Sequence, residues 1–176
     1  MGGPKKEVSA AGSSDERRML RHMLATLAYR AAKVLRDAPP SFATFSLGEG
    51  RRPAVQIVAH LGDLMAWALH LANGAYTWKA EGSVDWRTEV TRFFAGMVAL
   101  DKRLTDAAPL GYSAEILIQG PLADALTHVG QLSMMRGAAG APVRPESYAR
   151  AAIAVGVVGI EQPPPGREFD GDASAH

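Results

Sequence analysis

Two histidines and one aspartate have the residue types and the spacing of a metal-binding group. Asp124 and His128 stand four residues apart, so on a helix their side chains project from one face, one turn apart. His60 lies in a separate apolar segment, next to Leu61. Two imidazoles and a carboxylate leave coordination positions open for water or substrate. Such a set suits zinc, nickel, iron(II) or manganese.

Each of these residues also has an ordinary structural interpretation. Asp124 follows Pro121 by three residues, and in a first helical turn its carboxylate would favour the positive end of the helix dipole. His60 and His128 could be core histidines that are hydrogen-bonded to their neighbours. Asp-x-x-x-His pairs occur by chance, and spacing alone does not connect His60 to the pair.

Four helical segments would have to position these side chains, because apolar residues recur in each at the period of one helical face. We predict helices from Ser14 or Asp15 to about Asp37, from Pro53 to about Asn73, from near Val84 to about Asp106, and from between Ser113 and Pro121 to near Gly137 or Gly140. Gly120-Pro121 favours the later start of the last helix, or a kink in it.

This pattern predicts an all-α four-helix bundle with an irregular C-terminal extension. We divide the chain into a flexible lead-in over residues 1–14, a bundle domain over 15–162 and a surface tail over 163–176. Residues 151–160 are apolar and partly β-branched, which is compatible with a short helix, a strand or an extended packing segment.

The composition argues against several classes of function. The chain has no cysteine, which excludes disulfides, thiolate metal sites and a cysteine nucleophile. Its net charge of +1 provides no global attraction to nucleic acid, and the pair Arg51-Arg52 is expected to be solvated surface. No apolar stretch approaches the ~20 residues that span a bilayer. Residues 1–16 lack the apolar core of a secretory signal, so we expect a cytoplasmic protein without membrane contact.

Three segments resemble the DinB-like family of metal-binding helical bundles. Residues 122–148, with His-x-Gly-Gln beginning at His128, are similar to that family's closing helix and the loop after it. Residues 54–74 (AVQIVAHLGDLMAWALHLANG) resemble the family's second helix. Its third helix is similar to the segment in which Asp85-Trp86 is followed by Val90, Phe93 and Phe94. The similarity covers about residues 15–162.

The resemblance implies a divalent transition metal held by one histidine on the second helix and a His-x-x-x-His pair on the last. The helix-two histidine falls on His60 and the second histidine of the pair on His128, whereas the first falls on Asp124. Aspartate at that position changes the charge of the site and its preferred metal. An arginine often follows the family's second histidine, and here Val129 takes its place.

The function that the resemblance implies is metal-dependent chemistry on a small molecule, either thiol-dependent transfer or isomerisation, or hydrolysis, in a homodimer. No catalytic residue can be named, because no Gly-x-Ser-x-Gly motif, phosphate-binding loop or Glu-x-x-His pair is present in the sequence. The alternative is a non-catalytic dimeric bundle that binds a small ligand or a metal. Nucleic acid is not an expected partner.

Residues around the last helix could assist such a site. Gln131, one turn beyond His128, could orient a ligand or a water, or make a packing hydrogen bond. Arg136 and Tyr148 could bind a substrate anion, or close the end of the bundle. We expect the three tryptophans to pack in the core or in a lid: Trp67, Trp78 and Trp86.

Overall fold

Long helices dominate residues 13–169, the part of the chain that the computed structural model describes. They are α1 (Ser14–Leu35), α2 (Ala54–Ala72), α3 (Trp86–Thr105), the short α4 (Ala114–Leu117) and α5 (Ala123–Ala138). One π turn, Ile118–Leu122, joins α4 and α5 into a single rod. No β-strand occurs in the described range, and the prediction of an all-α bundle is therefore confirmed. Residues 1–12 of the predicted lead-in and 170–176 of the predicted tail lie outside it.

The helices pack in a ring. α1 packs against α3 and α5, and α2 packs against the same two helices, so that α1 and α2 occupy opposite corners. Leucine, alanine, methionine and phenylalanine side chains from all four corners fill the centre. Two glycines allow α2 and α3 to approach closely, because a Cβ at Gly96 would lie 2.7 Å from Met65 and one at Gly62 would lie 2.6 Å from Arg92. The ring places α2 directly beside α5.

α2 is more apolar than the sequence analysis recognised. By length and composition it is the one helix among the described residues that could cross a membrane, with a mean hydropathy of 1.2 over its most apolar window. The prediction that no apolar stretch approaches the length of a membrane span is therefore wrong for α2. His60 and Asp63 interrupt the apolar run, but the mean hydropathy of the helix stays high enough for a span. Within the bundle, 67% of that window is buried, which is also typical of a core helix.

Capping residues fix the helix starts. Ser13, and not Ser14 or Asp15 as predicted, caps α1 in a capping box: its hydroxyl accepts from Glu16 N at 3.2 Å, and Glu16 accepts from Ser13 N at 2.7 Å. Pro53 precedes α2 as its cap instead of being its first residue. Asp85 accepts from Thr88 N at 2.8 Å and starts α3 two residues after the predicted position.

The last rod starts early and passes through Gly120-Pro121. Its first helical residue is Ala114, at the early end of the predicted interval. Pro121 has no backbone N–H to donate to the helix, and the chain accommodates it in the π turn, where the hydrogen bonds run from i to i+5. The alternative of a late start is therefore wrong, and a local distortion occurs instead.

Residues 139–169 wrap the end of the bundle without forming a further helix of more than one turn. Residues 151–160 are an irregular segment whose Val158 packs into the core, so neither the short helix nor the strand is found there. The first part of the predicted tail is docked, because Glu146 and Glu168 form an isolated antiparallel bridge. Lys33 of α1 binds both of these carboxylates, at 2.8 and 2.7 Å.

Candidate metal centre

The three predicted ligands converge between α2 and α5. One ligand atom from each of His60, Asp124 and His128 lies within 4.8 Å of the other two. The Nε2 atom of His60 is 3.4 Å from Oδ2 of Asp124, and Nε2 of His128 is 3.4 Å from Oδ1 of the same carboxylate. The two imidazole rings are perpendicular, with centroids 4.7 Å apart. Asp124 thus lies between two imidazole nitrogens that both face it.

The two 3.4 Å nitrogen–oxygen separations fit a shared metal ion. Metal–nitrogen and metal–oxygen bonds of ~2.0–2.2 Å place neighbouring ligand atoms roughly 3–3.5 Å apart on a shared ion. The two histidine side chains are largely buried, at 21% and 15% exposure, whereas that of Asp124 is 46% exposed. Asp124 is therefore the most exposed of the three candidate ligands.

Gln131 contacts the ring nitrogen of His128 that does not face Asp124. Nδ1 of His128 lies 2.8 Å from Oε1 of Gln131, one turn further along α5. An amide oxygen can only accept a hydrogen bond, so the contact suits the tautomer of His128 that carries its hydrogen on Nδ1 and leaves the lone pair on Nε2. A metal-ligating histidine needs this tautomer and this kind of partner. The predicted orienting role of Gln131 is therefore compatible with its contact.

The surroundings of His60 favour its neutral form. Burial is the main cause that lowers its pKa from the usual value of 6.5, and the adjacent His128 and Arg52 add to the shift, whereas Asp124 opposes it. A neutral imidazole has the lone pair that a metal requires. The indole of Trp78 covers this ring edge-on, with centroids 5.5 Å apart. Trp78 belongs to residues 74–85, which connect α2 to α3 and which we call the strap.

A buried charge network fastens the strap beside the site. Arg92 of α3 binds Asp63 at 2.8 Å and Glu89 at 2.7 Å, and it donates to the carbonyl oxygen of Ala59. The same two carboxylates accept strap N–H groups, Asp63 from Glu81 at 3.1 Å and Glu89 from Ser83 at 2.6 Å. Asp63 lies three residues after His60 on α2, so the network also fixes the segment that carries the histidine.

Two openings flank the three converging side chains. A cavity of about 690 Å³ lies on the His128 side and includes Gln131 in its wall. A smaller groove of about 330 Å³ lies on the His60 side and extends toward the strap. Arg52 contributes to both. The larger volume lies within the range of small-molecule sites, ~300–1,000 Å³.

The structure places Arg136 and Tyr148 elsewhere. Arg136 is buried, and its guanidinium donates to the carbonyl oxygens of Val34 and Ala141, at 2.7 and 2.8 Å. Tyr148 packs under Arg30, whose guanidinium carbon lies 3.8 Å from the ring centroid. Neither residue lines the cavity beside His128. Their contacts fit the alternative in which they close the bundle, and give no support to a substrate anion there.

The neighbours of the site were not predicted from the sequence. Arg51 and Arg52 were interpreted as scattered surface charge, although both line the larger cavity. A local signal existed: Arg52 stands eight residues before His60, which is about two helical turns, and only one residue before Pro53, the cap of α2. Trp78 had no such signal, since its position depends on the path of the strap.

Comparisons of this chain with protein-family models, with curated proteins and with solved structures gave no match.

Proposed function

We propose that this chain is a metal-dependent enzyme that acts on a small molecule, with a divalent transition metal held by His60, Asp124 and His128. The observation that carries the proposal is the convergence of two imidazole Nε2 atoms on one carboxylate, each at 3.4 Å. Two further features support it, namely the contact of Gln131 with Nδ1 of His128 and the surroundings of His60, which favour its neutral form.

A bound metal of this kind lowers the pKa of a coordinated water or thiol, or polarises a carbonyl group. The protein's own residues would provide the remaining conditions. Three protein ligands would leave coordination positions free, and the cavity that His128 lines offers space for a ligand beside them. Trp78 packs edge-on against the ring of His60. The reaction types that follow are thiol-dependent transfer or isomerisation, and hydrolysis.

The DinB-like resemblance supports the same proposal. It assigns metal ligands to the same two histidines, and the all-α bundle has the architecture that it requires. It also implies a homodimer, for which the irregular segment 151–160 offers the partly exposed Val155. A sedimentation mass near one chain would contradict that assembly.

Metal analysis of protein purified without an affinity tag tests the metal site. Wild type is expected to bind about one equivalent of zinc, nickel, iron or manganese per chain, and His60→Ala and Asp124→Asn are expected to lose most of it. His22→Ala is the matched control, because His22 is an exposed histidine on α1. Circular dichroism shows whether each variant is folded. Equal and low metal content in wild type and variants would overturn the proposal.

Turnover requires a separate measurement. Metal-loaded protein is screened with low-molecular-weight thiols paired with electrophiles, and with ester and amide substrates. Activity that His60→Ala abolishes and His22→Ala retains would support an enzyme. A site-dependent metal without turnover in any screen would favour the non-catalytic bundle.

A further inference from the structure

The wall of the larger cavity combines two chemical characters. Exposed apolar side chains form part of its rim: Leu47 is 49% exposed and Met134 is 60% exposed, and both are large hydrophobic residues on the surface of the chain. Ile57 and Met135 continue this apolar wall inward. A ligand with an apolar body would remove this surface from water.

The positively charged part of the cavity wall consists of Arg51 and Arg52. Both are exposed, both line the cavity, and no carboxylate of the described residues forms an ion pair with either guanidinium. Glu49, the nearest acidic residue in sequence, does not line the cavity. Most other arginines near the bundle ends are engaged, for example Arg17 with backbone carbonyls and Arg21 with Asp101. The cavity thus holds two cations that have no anionic partner among residues 13–169.

The position of Arg52 relates these cations to the metal centre. It lines both the cavity at His128 and the groove at His60, and therefore stands beside both imidazoles. A divalent metal and the Asp124 carboxylate together carry one positive charge, and the two guanidinium groups add two more. Positive charges that line a cleft attract and retain anions. Guanidinium groups in particular match the geometry of a carboxylate.

We propose that Arg51 and Arg52 form an anion-binding wall, and that the cavity takes an organic acid whose carboxylate meets this wall while its apolar body lies against Leu47, Ile57 and Met134. The proposal rests on the proposed function in one respect: the metal centre would act on such an acid.

The test uses the full chain without added metal, so that it does not depend on metal binding. Hexanoate and hexanamide are titrated separately into methyl-labelled protein, and the shifts of the Leu47, Ile57 and Met134 methyl resonances are followed by NMR. We expect hexanoate to bind about threefold to tenfold more tightly than hexanamide, as one or two partly exposed charge-assisted contacts allow. Raising the salt concentration is expected to reduce this ratio.

The double variant Arg51→Gln/Arg52→Gln is expected to bring the ratio close to one without weakening hexanamide. Arg87→Gln, an exposed arginine on α3, is the matched control and should keep the wild-type ratio. Equal affinities in wild type, a preference that survives in the double variant, or shifts confined to other methyl groups would each overturn the proposal. Metal analysis reports separately on the proposed function. If the protein prefers hexanoate but never binds metal, the anion-binding wall is supported and the proposed metal-dependent enzyme is contradicted.

Discussion

Nδ1 of His128 and Oε1 of Gln131 lie 2.8 Å apart across one turn of α5, so the amide of Gln131 sets which nitrogen of the histidine faces Asp124. The contact is local to one helix, yet its effect is exerted at the junction with α2. It gives a direct way to change the candidate metal centre without removing a ligand.

Gln131→Leu is expected to weaken metal binding about tenfold, because partners that orient a ligating histidine typically contribute ~10- to 100-fold to affinity. Competition with a chromophoric chelator measures this change. Gln131→Glu retains an acceptor at the same position and should keep an affinity near wild type or above it. A leucine variant that binds metal as tightly as wild type would show that the contact is only a packing hydrogen bond.

Arg92 is expected to be the most sensitive position near the strap. Arg92→Met would leave the buried carboxylates of Asp63 and Glu89 without their cation, and breaking a buried pair in this way costs about 3–5 kcal/mol of unfolding free energy. Chemical denaturation measures the loss, and tryptophan fluorescence follows the release of Trp78. Arg87→Met on the exposed face of the same helix should change stability by less than about 0.5 kcal/mol. Similar losses in both variants would contradict the prediction.

The carboxylate of Glu146 is expected to make the fold sensitive to acid. Burial raises its pKa, but hydrogen bonds from Lys33 and Tyr29 outweigh burial, so that the pKa lies below the usual 4.5. The unfolded chain therefore takes up this proton at a higher pH than the folded protein does. The stabilisation is complete above pH 4.5 and is lost as the pH falls through the lower pKa of the folded state.

Glu146→Gln tests this loss of stability at low pH, which is the acid limb of the stability–pH curve. The variant is expected to lose roughly 1–3 kcal/mol at pH 7, the cost of weakening hydrogen bonds to a buried charged group, and to depend less on pH below 4.5. Denaturant midpoints at several pH values measure both effects. Glu168→Gln, whose carboxylate is partly exposed, should lose less than about 1 kcal/mol. An unchanged acid limb in the Glu146 variant would contradict the assignment.

Gly111 and Gly130 form a matched pair for the effect of one added methyl group. A Cβ at Gly111 would lie 2.0 Å from the backbone nitrogen of Gly74, at the end of α2, whereas a Cβ at Gly130 would meet nothing within 4 Å. Gly111→Ala is expected to destabilise the protein by more than about 2 kcal/mol, because backbone must move. Gly130→Ala should stabilise it by about 0.4–1 kcal/mol, since it lies within α5. Thermal melts that rank the two in the opposite order would refute this packing.

Periodicity was enough to predict the long helices, because each has one apolar face and ends at a cap, a proline or a glycine. Ser13 was missed as the cap of α1 even though Glu16 follows it by three residues, which is the capping-box spacing. The π turn could not be predicted in this way, since apolar periodicity does not reveal whether a hydrogen bond spans four residues or five. Local sequence signals therefore located the elements and, through Gly120-Pro121, a possible kink in the last helix, but not the π form of that distortion.

Local spacing likewise predicted one part of the candidate site and not the other. Asp124 and His128 were paired by their spacing within one helix, whereas the approach of His60 depends on the ring order of the helices, which places α2 beside α5. Arg52 was overlooked because the net charge of +1 describes the whole chain, and a small cavity can be strongly positive in a nearly neutral protein.

The π turn also determines where this chain can change in length. A hydrogen bond from i to i+5 encloses one residue more than an α-helical bond, so loss of Pro121 from Ile118–Leu122 would allow a regular helix without turning α4 relative to α5. Loss of a residue between Asp124 and His128 would instead swing the histidine about 100° around the helix axis. One rod thus contains a stretch that can absorb a deletion and, immediately after it, a stretch that cannot.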